Sequence, residues 1–155
     1  MIPRSTPARA ATMLAAATLA AVPVTAVAAT KRSVNASGTV KYHHREAKAK
    51  IVEQHGTVKG QPFGTGALVL RSKLAARKKL SYSIRLTTKS GAVWGNGTAD
   101  LTVTGTKASY KGTLRILGGN GSYKKISHSV LNVSGSGPAN LRDDTTVRIT
   151  GSVTY

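Results

Sequence analysis

The chain has 155 residues, enough for one domain with its own core and too few for two comfortable ones. It contains no cysteine, which excludes a disulfide framework and a thiolate metal site, so its stability must come from packing and strand pairing. Lys and Arg number 23 against 5 acids, a net charge of +18 that attracts anions over a Debye length of roughly 8 Å at physiological salt.

Residues 1–28 read as a signal peptide. Arg4 and Arg9 form a positive n-region, an alanine-rich uncharged run follows, and Ala26-Val27-Ala28 fits the small-x-small cleavage pattern. A membrane anchor would ask for about 20 strongly apolar residues, and this run is interrupted by Pro23. A secreted protein with no transmembrane segment in its mature chain is therefore expected. The alanine-rich leader and the many Thr, Ser and Gly residues fit a bacterial export. Loss of Arg4 and Arg9 lowers the net charge only from +18 to +16, so the basic character belongs to the mature chain.

Past an expected linker at residues 29–36, the domain at 37–155 reads as strand after strand. Residues 38–42 form the first and a basic turn, His43-His44-Arg45-Glu46, follows. The second, 49–58, contains Gly56 as a bulge site and ends at Gly60-Gln61-Pro62. Residues 63–71 form the third. The clearest alternation lies at 80–87, where Leu80, Tyr82, Ile84 and Leu86 oppose Ser81, Ser83, Arg85 and Thr87. Strands at 92–104 and 108–117 turn at Gly105-Thr106-Lys107. A tight corner at Gly119-Asn120-Gly121 leads to a short strand at 130–134, and Gly135 and Gly137 are assigned to a looser Ser-Gly-Pro loop. Residues 145–155 close the chain. Eight antiparallel strands with no helical period favour an all-β, eight-stranded antiparallel β-barrel, because closure removes the two exposed edges of an open sheet.

Several backbone motifs carry a resemblance. Phe63-Gly64-Thr65-Gly66, Gly91 with Gly95-Asn96-Gly97, Gly112-Thr113-Leu114-Arg115-Ile116, Gly118-Gly119-Asn120-Gly121-Ser122-Tyr123 and the closing Ile149-Thr150-Gly151-Ser152-Val153-Thr154-Tyr155 resemble the allene oxide cyclase and dirigent group of barrels. Asn120 stands where that group's corner usually has Thr. The resemblance spans nearly the whole mature chain and implies an eight-stranded barrel. Plant members of the group cyclise or steer small hydrophobic substrates, but no catalytic position matches residue by residue, so none is carried over.

Candidate sites are few. Glu53 and His55 share a strand face with Ile51, so they form a candidate general acid/base pair if that face lines the lumen, although a surface placement is the expectation. His43 and His44 are adjacent and should point to opposite faces, so no metal site is expected, and no cofactor is implied. Tyr82, Trp94 and Tyr110 are candidate ligand-lining aromatics. The glycine corner is no nucleotide loop, since Lys124 replaces the last glycine of G-x-G-x-x-G and no helix follows. Scarce aromatics argue against both an outer-membrane barrel and nucleic-acid stacking. Two basic clusters are candidate polyanion contacts: Lys41, Arg45, Lys48 and Lys50, then Arg71, Lys73, Arg77, Lys78 and Lys79.

Two readings stand. One is a non-catalytic binding protein for an anionic surface polymer or a small apolar ligand; the other is a cyclase- or isomerase-like enzyme working in the lumen. A filled lumen favours the first, and a buried polar pair in an apolar lumen favours the second. An oligomer is compatible with both. The leader reading predicts that mass spectrometry of the exported protein gives an N-terminus at or near Ala29, and an intact Met1 in a membrane fraction would overturn it.

Overall fold

The computed structural model describes residues 28–76, 78–140 and 143–155. The expected leader lies outside the described residues, apart from Ala28. The strands are β1 (Lys31–Glu46), β2 (Ile51–Gln61), β3 (Gly64–Ala76), β4 (Lys79–Thr88), β5 (Gly91–Thr104), β6 (Lys107–Gly119), β7 (Val130–Pro138) and β8 (Thr145–Thr154). Each pairs antiparallel with its sequence neighbours, and β8 returns to β1, so the sheet closes into an eight-stranded barrel.

Closure depends in part on residues 31–36, which fall in the expected linker. Lys31 to Val40 pair in register with Thr154 to Thr145, and Val34, Ala36 and Val40 point inward and are buried. The stretch Val34-Asn35-Ala36-Ser37-Gly38-Thr39-Val40 already has the alternation of a strand, with inward side chains small enough for a tight lumen. The outward face of β4 is polar, with Ser81, Ser83, Arg85 and Thr87, while Leu74, Val103, Leu117 and Val130 are exposed on other strands. Among the described residues, no helix is long and apolar enough to cross a membrane.

The interior is filled by a repeated device. Tyr82 on β4 lies opposite Gly97 on β5, and its hydroxyl reaches across to donate to the Thr113 carbonyl on β6 at 2.8 Å. Tyr110 on β6 lies opposite Gly135 on β7 and donates to the Thr146 carbonyl on β8 at 2.9 Å. In each case a glycine makes room for a phenol that ties together strands two apart. Gly135 therefore does not sit in a loose loop. β7 runs on to Pro138, and a Cβ at Gly135 would press into the Tyr110 phenol and the Thr146 carbonyl.

The connections that follow β2, β4 and β6 close one end. The β6–β7 connection folds over it, with a single 3-10 turn at Gly121–Tyr123, and buries Tyr123 and Ile126. The Tyr123 ring meets Phe63 at 5.5 Å and Tyr155 at 5.6 Å, both edge to face. Asn120 fastens this corner to the β4–β5 turn. Its Oδ1 accepts from the Ala92 amide at 2.6 Å, its own amide donates to the Ala92 carbonyl at 2.9 Å, and Ser122 N donates to Ser90 O at 2.8 Å. Gly121 adopts φ +56 directly against the Ser90 carbonyl.

Gly105, in the β5–β6 turn, has nearly the same φ, +59, with open space around it. Gly121→Ala and Gly105→Ala should share a left-handed backbone cost of about 1 kcal/mol, while Gly121→Ala adds an overpacking cost of about 1–3 kcal/mol. Gly135→Ala should destabilise at least as much as Gly121→Ala. Urea unfolding of the three variants checks the order; equal losses at Gly105 and Gly121 would show that the corner is not closely packed.

Candidate functional site

Three places bear on function: the lumen, a histidine and carboxylate cluster on the outer wall, and the basic rims at the two ends.

The lumen is nearly full. The space among Gln54, Leu70, Tyr82, Tyr110, Val133 and Ile149 amounts to about 20 Å³, little more than the ~10–15 Å³ that one water needs. Its buried polar pair is Gln54 with Thr145, Nε2 donating to Oγ1 at 3.1 Å, and neither group titrates. The two phenols are held as donors to carbonyls. Burial pushes both hydroxyls above the ordinary tyrosine value, with proximity to Tyr82 adding to the rise at Tyr110. Among the described residues, no buried side-chain polar atom is left without a partner. Trp94, expected beside these tyrosines, is on the outside. It pairs with outward-facing Arg85, whose guanidinium lies 5.7 Å from its ring centroid, and it packs over Gly118.

Glu53 and His55 do come together, but on the outer wall, with Gln54 between them facing inward. His55 Nε2 lies 2.7 Å from Glu53 Oε1, and Arg71 Nε binds Glu53 Oε2 at 3.2 Å. Arg71 also reaches Glu46 Oε2 at 3.2 Å. His43 and His44 both join them, at a β-bulge. β1 runs through the expected basic turn as far as Glu46, and Tyr42 pairs with Gln54 while His44 pairs with Glu53, so His43 is the extra residue. Alternation from buried Val40 already places His43 on the outer wall, and the bulge brings His44, which pairs with Glu53, onto that wall beside it; the His43 ring stacks on His55 at 4.0 Å and meets His44 edge-on at 5.2 Å. Gly56, the expected bulge site, pairs regularly with Val40.

The Glu53 carboxyl is held below its ordinary value, chiefly by the hydrogen bond from His55 and also by the nearby charges of His44, His55 and Arg71, which together outweigh the opposing effect of burial. A carboxyl depressed in the folded state contributes stability above its unfolded value and loses it as pH falls through the folded value.

The two basic clusters converge. β2 pairs with β3, with Ile51 opposite Lys73, so the β1–β2 and β3–β4 turns are neighbours on one rim. Lys41, Arg45, Lys48, Lys50, Lys73, Lys78 and Lys79 are exposed there, while Arg77 lies outside the described residues. Lys50 and Lys78 both adopt left-handed backbone, at φ 55 and 59. All five acids of the sequence lie in this half of the barrel. Asp144 pairs with Lys41 at 3.7 Å, Asp100 pairs with Lys79, and Glu46 and Glu53 pair with Arg71. The opposite rim was not apparent as a cluster in the sequence. Lys31, Arg32, Lys59, Lys89, Lys124 and Lys125 are exposed there, with no acid in that half. They are scattered along the chain, and only the alternating strand direction gathers them.

No family model matches the chain, and neither a curated protein nor a solved structure matches it significantly.

Acid titration tests the environment of Glu53. The wild type should lose stability between about pH 5 and pH 3 more steeply than Glu53→Gln, measured by chemical unfolding at fixed ionic strength. Parallel curves would contradict a depressed carboxyl.

Proposed function

We propose that this is an exported, non-catalytic barrel that binds an anionic surface polymer on its exterior. The observation that carries this reading is the charge segregation: six exposed cations crown one rim in a half with no acid, while a second, partly neutralised basic rim crowns the other. A small soluble domain needs a net charge of only about 2 to 8 to stay dispersed, far below +16. The filled lumen supports an outer binding surface over an enclosed substrate site, and over a cyclase- or isomerase-like role. A barrel of the allene oxide cyclase kind whose lumen is occupied by its own tyrosines serves as a rigid frame for surface charge.

The left-handed lysines point the same way. Glycine or asparagine suits such positions better, and a strained residue kept in place is a reason to look for function. Lysine at both turn tips places two ammonium groups at the edge of the rim.

The test is titration with teichoic acid or heparin at several salt concentrations. Log affinity should fall linearly with log salt, and each lost contact should make the slope shallower by about 1. Lys124→Ala with Lys125→Ala should weaken binding without unfolding the barrel. Lys50→Gly with Lys78→Gly should weaken binding while raising stability by about 0.5–1 kcal/mol per site, which separates contact from folding. Binding that ignores salt, or that neither pair of changes alters, would overturn the reading.

A further inference from the structure

The outer-wall cluster is compact enough to hold a metal ion. His43, Glu53 and His55 each offer one ligand atom, and these three atoms lie within 4.8 Å of one another. Late first-row divalent ions bind imidazole nitrogen at about 2.0–2.1 Å and carboxylate oxygen at about 2.0–2.2 Å, so ligand atoms must come within roughly 3–4 Å of each other around one centre. Two of them are already closer: His55 Nε2 and Glu53 Oε1 are 2.7 Å apart. The His43 ring is stacked on His55 and exposed, so a rotation about its side-chain bonds brings its nitrogen in without moving the strand. His44 Nδ1 lies 3.9 Å from the same carboxylate oxygen, in reach as a fourth donor.

The surroundings match what a metal carboxylate needs. Glu53 is the least exposed member, at 17% of its side chain, and Arg71 fixes its second oxygen, leaving Oε1 turned toward the imidazoles. A held carboxylate and a fixed ligand orientation are what outer partners supply in metal sites. The cluster also lies in the half of the barrel that contains every acid.

We propose that His43, Glu53 and His55, with His44 as the fourth donor, form a binding site for a borderline divalent ion such as Zn²⁺ or Cu²⁺. Imidazole with one carboxylate suits these ions, Cu²⁺ binding more tightly than Zn²⁺, and does not suit Mg²⁺ or Ca²⁺, which want oxygen ligands. Binding replaces the proton shared between His55 Nε2 and Glu53 Oε1; that proton moves to His55 Nδ1 or to solvent, so affinity falls as pH drops and the imidazoles become protonated.

The protein carries its own control. The fourth histidine, His128, sits on the β6–β7 connection with Nδ1 at 3.2 Å from the Ile116 carbonyl and has no part in the cluster. Full-length protein without a polyhistidine tag is titrated calorimetrically with Zn²⁺, Cu²⁺ and Mg²⁺ at pH 7.5 and pH 5.5. The expected result is one Zn²⁺ or Cu²⁺ per chain at pH 7.5, at least tenfold weaker at pH 5.5, with no Mg²⁺ binding. Affinity should fall at least tenfold in His43→Gln, His55→Gln and Glu53→Gln and stay unchanged in His128→Gln. Melting curves of each variant without metal confirm the fold, and an ion-induced rise in Tm should appear in wild type and His128→Gln alone. No saturable binding by the wild type, or binding untouched by His43→Gln and His55→Gln in folded protein, would overturn the proposal.

Discussion

The barrel depends on two phenol-to-carbonyl hydrogen bonds that cross a glycine. Tyr82 over Gly97 to Thr113, and Tyr110 over Gly135 to Thr146, each join a strand to the one two places away. The chain has only 5 tyrosines, one phenylalanine and one tryptophan, so it has little aromatic mass with which to fill a lumen. Two of those rings are placed where opposing glycines let them lie across the interior. Both hydroxyls are buried, pushed above the ordinary tyrosine value and already donating to carbonyls.

From this follows the division between inside and outside. The interior supplies rigidity, with aliphatic side chains, two phenols and the self-satisfied Gln54–Thr145 pair. Chemistry-bearing groups lie on the wall and rims. Because the strands alternate in direction, residues far apart in sequence share an end, and the charge becomes a spatial pattern with acids in one half only. The strained lysines at 50 and 78 and the bulge at His43 all fall in the acid-bearing half, where the β3–β4 pairing also shifts register between Leu74 and Ala76.

Strand alternation makes most of the barrel legible in the sequence. The inward set Leu80, Tyr82, Ile84 and Leu86 follows directly from period two, and so does the surface position of Glu53 and His55 once Gln54 faces in. The alternation also runs back from Val40 to Val34, but the short polar residues there have the composition of a linker, and only pairing with β8 shows that the first strand begins at Lys31. Trp94 shares its face with outward Asn96 and Thr98, so its position was encoded, though its aromatic character suggested a pocket. The bulge at His43 was not legible. No glycine marks it; it arises from how β1 and β2 are matched beyond Tyr42. Gly135 was misassigned because a glycine that admits a neighbour's ring looks, in sequence, like a glycine that bends a loop.

The central claim is that ligand binding belongs to the exterior and the lumen is only filled. Chemical-shift mapping of isotopically labelled protein with teichoic acid fragments tests it most directly. Amide and side-chain shifts should concentrate at the rims, around 48–50, 73, 78–79, 89 and 124–125, and vanish at high salt. Shifts that instead centre on Tyr82, Tyr110 and Val133, and persist in salt, would place the ligand in the lumen and contradict the account.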